Sequence, residues 1–111
     1  MSSKKKPLPP AVLHQVARRF CLLGDATRLA ILQSLMGGPR SVNEIVNQTQ
    51  SSQANTSRHL KVLHDAGVVE RRRQGLQVFY EIADPSIFQL CEIVCTSLVD
   101  KAAAEMKSLR G

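Results

Sequence analysis

Between Gly67 and Asp84 the chain changes period. In VVERRRQGLQVFYEIA, Val78, Tyr80 and Ile82 alternate with polar or exposed positions, and Gln74-Gly75 supplies a turn with one residue free to take φ > 0. That pattern predicts a β-hairpin. Everything around it repeats at helical spacing instead. AVLHQVARRFCLL places Leu13, Val16, Ala17 and Phe20 at the spacing of a helix, opened after Pro9-Pro10 and ended by Gly24. Asp25 caps a second helix, DATRLAILQSLM, with Leu29, Leu32 and Leu35 on its apolar stripe, and Gly37-Gly38-Pro39 stops it. Ser41 and Glu44 form the S-x-x-E capping box of a short third helix, VNEIVNQ. After the polar turn TQSS comes a fourth helix, with Leu60 and Leu63 facing inward and Gly67 at its end. Asp84-Pro85 opens a last helix that runs to about Leu109.

The predicted order is α-α-α-α-β-β-α: a mostly α chain in which two short helices joined by a tight turn run straight into a basic hairpin. This is the layout of a winged helix-turn-helix, with the hairpin as the wing. Residues 1–8 are expected to be a flexible basic arm and 9–111 a single domain, since no internal repeat or second linker is present. With no Trp and few aromatics, the core has to come from Leu, Ile, Val and Ala, and a core of that kind gains from burying further surface in a dimer.

Charge narrows the partners. Fifteen Lys+Arg against nine Asp+Glu give a formal net charge of +6, which suits a polyanion. No apolar run is long enough to span a membrane, and the start MSSKKKPLPP has no apolar segment behind its lysines, so a cytoplasmic protein is expected. Three cysteines, an odd number, argue against a disulfide framework. No Ser/His/Asp arrangement, phosphate-binding Gly loop or acid–base pair is present, so an enzyme is not expected. The remote exception is thiol chemistry, for which cysteines inside a helix are poorly placed.

A helix that reads bases must present short hydrogen-bonding side chains from its first turns. Ser52, Gln53, Asn55, Thr56, Ser57, Arg58 and His59 fit that need, Ser52 as the cap and the others as donors and acceptors. Residues of these types are also common in caps and turns. Arg71, Arg72 and Arg73, with Gln74 at the tip, would place positive charge where a wing meets the phosphate backbone or the minor groove. A run of charge is usually a solvated face, but this one follows directly on a helix-turn-helix. Double-stranded DNA is therefore the expected partner, ahead of protein or RNA contact by the same fold.

At LGDATRLAILQSL, SSQANTSRHLKVLHDAGVVERRRQG and VFYEIADP the chain resembles the ArsR/SmtB family of bacterial transcriptional repressors, from about residue 12 to the last helix. The resemblance implies a homodimer built on the first and last helices and two recognition helices on a palindromic operator. It also implies repression relieved by an effector. Metal-sensing members commonly use a Cys-x-Cys on the third helix or acidic and His ligands on the last. Here the third helix reads NEIVNQT without cysteine, and the last helix has no His, although Asp84 stands near its start.

What the chain has instead is Cys91 and Cys95, one helical turn apart, and Cys21 near the end of the first helix. Cys91 lies on the apolar stripe Ile87, Leu90, Val94, Leu98, Ala102, with Cys95 beside it, so plain packing is one outcome. Cβ atoms at i and i+4 stand roughly 5–6 Å apart, whereas a disulfide needs roughly 3.5–4.5 Å. A disulfide between the two would therefore distort the helix, while a soft ion would not. With Cys21 from either subunit they would form a three-sulfur site for As(III), Cd, Pb or Zn. Alternatively, Cys21 would bridge to one of them in an oxidation or reactive-sulfur switch. Relatives with such a switch use a second-helix cysteine where this chain has Gln33. His14, seven residues before Cys21, is a weaker fourth ligand, and His64 is expected to be an exposed helix residue. An effector that uses no thiol also remains open.

Overall fold

The computed structural model describes residues 6–110. Its elements are α1 (Pro10–Leu23), α2 (Ala26–Leu35), β1 (Arg40–Ser41), α3 (Val42–Thr49), α4 (Gln53–Asp65), β2 (Val69–Gln74), β3 (Gln77–Ile82) and α5 (Pro85–Arg110). This is a winged helix-turn-helix. Of the basic arm, residues 1–5 lie outside the described residues.

The helix starts fall where short oxygen-bearing side chains meet free backbone N–H groups. Asp25 accepts from the Arg28 amide at 3.0 Å, and Ser52 accepts from the Asn55 amide at 3.0 Å. Ser41 and Glu44 close the full capping box, at 3.2 and 2.8 Å. Asp84 accepts from both the amide and the hydroxyl of Ser86 at the head of α5. Gly67, at φ 77°, ends the fourth helix in a backbone conformation that favours glycine.

Two expectations need correction. A third strand exists: β1 pairs antiparallel with β3, Arg40 opposite Tyr80 and Ser41 opposite Phe79, giving the sheet order β1-β3-β2. Arg40 anchors it by donating from Nε to the Ser34 carbonyl at 2.6 Å. The hairpin turn is also one residue later than expected. Gln74 is the last residue of β2, paired with Gln77, so the loop is Gly75-Leu76. Gly75, at φ 62°, takes the first central position of the turn, the one that type II′ hairpins give to glycine.

The core gathers Ile31, Leu32 and Leu35 of α2, Ile45 of α3, Leu60 and Leu63 of α4, Val68 and Val69, and Ile87 and Cys91 from the start of α5. Helix α1 contributes only Leu23 to the buried set. Its Val12, Leu13, Val16 and Phe20 are exposed, and Leu29 of the expected α2 stripe is 41% exposed. Beyond Cys91, α5 leaves the core with Ile93, Val94, Leu98, Val99 and Met106 uncovered. The radius of gyration, 16.9 Å, exceeds the roughly 13 Å of a compact domain of about this length. The protomer is flat, 48 × 47 × 20 Å, with two apolar helix faces bare.

Candidate nucleic-acid interface and thiol pair

Burial of Leu60 and Leu63 fixes the rotation of α4, and Thr56, one turn earlier on the same stripe, is buried with them. Thr56 is therefore not available to bases, contrary to expectation. Its Oγ1 is enclosed without a hydrogen-bond partner. His59, three residues on, is half-buried and its Nδ1 is likewise enclosed without a partner. It lies near enough to Asp25 for its charge to help lower that carboxyl's pKa, behind the larger effect of the Arg28 backbone N–H. Thr56 and His59 thus belong to the inner side of α4.

Ser52, Gln53, Ser57 and Arg58 are exposed, and Asn55 is half-buried at the head of the helix. The Asn55 amide is held at both ends: its Nδ2 donates to Ser51 Oγ at 3.0 Å, and its Oδ1 accepts from Arg58. Two exposed residues on this outer side went unread in the sequence. Ala54 offers a methyl group of the kind that meets thymine. Lys61, at i+4 from Ser57, adds a charge that Asp65 partly occupies at 3.1 Å. The i, i+3, i+4 spacing from Ser57 and Arg58 was the available signal.

In the wing, the register sorts the arginines. Arg71 and Arg73 lie opposite Tyr80 and Val78, sharing a face with Val69 and Ile82. Arg72 and Gln74 point to the other face, where Arg72 pairs with Glu81. Among the described residues Arg71 and Arg73 form no ion pair, so both retain their charge for a partner.

The cysteines differ in setting. Cys91 is buried, whereas Cys21 and Cys95 are exposed. Burial, and secondarily the neighbouring Cys95, push the Cys91 thiol above its ordinary pKa. Among the described residues no three His, Cys, Asp or Glu side chains converge to hold a metal within one protomer. The three-sulfur set is thus not assembled inside a single chain, and exposed His14 does not complete it. Asp84 is held instead by Ser86 and by Arg19 at 3.4 Å, and the Ser86 hydroxyl is the leading cause of its lowered pKa. In timed alkylation at neutral pH, Cys91 is expected to react last, because it alone of the three is buried and its burial disfavours the thiolate. Peptide mass spectrometry showing Cys91 modified first would contradict this placement.

An exposed polar helix start beside a hairpin with two unpaired arginines, on a helix-turn-helix body, defines a DNA-binding winged-helix regulator. The model for the bacterial regulatory protein, arsR family, matches residues 25–71. A probable mercury resistance operon repressor of Streptomyces lividans is 39% identical, over 79% of this chain and 70% of that one. A cadmium resistance transcriptional regulatory protein CadC homolog of Staphylococcus aureus is 35% identical, over 79% of this chain and 74% of that one. Among solved structures, the homodimeric winged helix-turn-helix domain Mb0332 (fragment 1–100) of Mycobacterium bovis superposes with a TM-score of 0.76. It is 31% identical and covers 91% of this chain and 94% of its own. The chain belongs to the ArsR family of transcriptional regulators. It is a regulator rather than an enzyme, and no described helix is long and apolar enough to cross a membrane.

Proposed function

We propose that the protein is a homodimeric cytoplasmic repressor that reads a palindromic operator and releases it when a thiophilic metal or metalloid ion binds its cysteines. The observation that carries the dimer is the stripe on α5. It begins in the core at Ile87 and Cys91 and continues, uncovered, through Val94 and Leu98, with a second bare stripe on α1. The M. bovis relative is homodimeric, which supports a dimer here as well.

Base contact falls to Gln53, Asn55, Ser57 and Arg58, with Ala54 as an apolar contact and Ser52 holding the helix start. Arg71 and Arg73 hold phosphates. Each phosphate contact neutralised by a cation steepens the salt dependence by about one unit of slope. Replacing Arg71 or Arg73 with Ala is therefore expected to flatten the log–log salt slope by about one per half-site. Arg72→Ala should change it far less, since Glu81 already partners Arg72. Equal effects at all three positions would contradict this division.

For the effector, Cys91 and Cys95 offer two sulfurs where α5 leaves the core, and Cys21 of the partner subunit is proposed as the third. The mercury and cadmium resistance relatives support a soft ion of the As(III), Cd, Pb or Zn class. Binding across the interface favours a spacing of the recognition helices that no longer matches the operator. Only a difference in ion affinity between the two states can drive the shift. Because Cys91 must lose a proton whose release burial disfavours, ion affinity should rise with pH up to the raised Cys91 pKa.

A reporter downstream of the protein's own operator tests the proposal. Arsenite should derepress it with the wild type, and the Cys21/Cys91/Cys95→Ser variant should repress but no longer respond. A triple variant that derepresses normally would remove the thiol site. Derepression by peroxide or polysulfide but by no metal would make it a redox switch.

A further inference from the structure

The wing carries an apolar residue that neither the core nor the proposed dimer face accounts for. Leu76 is 96% exposed, the most exposed large apolar side chain among the described residues. The other large apolar residues more than half exposed all lie on the helices α1 and α5. Leu76 instead stands beyond the last cross-strand pair, Gln74–Gln77, in a turn whose geometry Gly75 sets. A polar residue would serve that turn equally well, so the leucine gives the isolated protomer nothing by way of packing.

Its neighbours indicate what would cover it. Arg73 lies one pair behind the tip and Arg71 two residues further back, on one face of the hairpin and without ion-pair partners among the described residues. Gln74 and Gln77 oppose each other at the final pair, and their amides both donate and accept. A hairpin lowered onto a duplex with its arginines on the phosphates would bring its apex into the minor groove. The glutamines would then meet base-edge acceptors, and Leu76 would lie against the groove floor. Proteins that insert a leucine there partly unstack one base step, and pyrimidine–purine steps yield most easily.

We infer that Leu76 is a minor-groove wedge that opens one pyrimidine–purine step in each flank of the operator, adding sequence preference outside the bases read by α4. This rests on the DNA-binding role proposed for the wing.

The test uses the full-length protein and duplexes of its own upstream DNA, with 2-aminopurine placed in turn at each flanking adenine. Anisotropy reports binding and 2-aminopurine fluorescence reports unstacking. The wild type should raise the fluorescence at one step in each flank. Leu76→Ala should abolish that rise and weaken binding about tenfold, the scale of losing a buried leucine side chain. It should leave the salt slope unchanged, because no charge is removed. Leu76→Met should retain the signal. An unchanged circular dichroism spectrum is expected for both variants, since the side chain touches no core residue. Wild-type protein that binds its operator with no rise at any flanking position overturns the wedge alone. So does Leu76→Ala binding as tightly as wild type. If the wild type prefers no sequence over random duplex, the DNA-reading role falls and the wedge with it, and the anisotropy arm shows that outcome separately.

Discussion

Leu98→Glu is expected to separate the protomers and weaken operator binding roughly a thousandfold, while α2 to α4 and the wing keep their fold. Helix α5 has 26 residues and is therefore about 39 Å long, but among its described side chains only Ile87 and Cys91 near its start are buried in the protomer. Leu98, 59% exposed, lies two turns past Cys91 on the same stripe. A carboxylate placed in an apolar subunit interface, once from each protomer, costs desolvation with no partner to offset it. A single protomer reads one half-site, so the operator loses the second set of contacts. What remains is mainly phosphate attraction, which is steep in salt and indifferent to sequence. Sedimentation velocity and anisotropy on the same sample decide the matter. A monomer that binds the operator as tightly as wild type would show that dimerisation is not how the sequence is read.

Leu60→Ala should cost about 2–5 kcal/mol of stability, a large share of the roughly 5–15 kcal/mol available to a domain of this kind. Leu60 is fully buried, in one cluster with Ile31, Leu32, Ile45 and Leu63. Truncation removes apolar burial and leaves a cavity beneath the recognition helix. The lost side chain is also what orients α4, so operator affinity should fall further than the unfolded fraction alone explains. Val62→Ala, on the same helix but 37% exposed, should cost far less. Urea unfolding of both variants at one protein concentration makes the comparison, since a dimer's stability depends on concentration. A cost below about 1 kcal/mol for Leu60→Ala would mean that α4 is held by something other than this contact.

Much of the fold was legible because its signals are local. Asp25, Ser41 with Glu44, Ser52 and Asp84 mark helix starts through side chains that bond amides two or three residues on. Leu60 and Leu63 mark the inner side of α4 by period alone. The misreadings arise where the deciding contact is distant. β1 is two residues long and carries no period of its own; it exists because β3, forty residues later, pairs with it. Thr56 resembles a base reader beside Asn55 and Ser57, yet it falls on the stripe of Leu60 and Leu63, and that position buries it. The hairpin turn shifted by one because Gly75 fits either end of a two-residue loop. For the cysteines, spacing placed Cys91 on the apolar stripe, as found, whereas the period of one chain carries no information on contacts between two.

The central claim is that a thiophilic ion bound by the cysteines releases the operator. It is tested most directly by fluorescence anisotropy of the reduced, oxygen-free protein on its own upstream DNA during an arsenite titration, alongside Cys91→Ser/Cys95→Ser. Loss of anisotropy near one ion per site in the wild type, with the variant remaining bound throughout, is the predicted result. Release of both proteins at the same arsenite concentration, or of neither by any thiophilic ion, would contradict it.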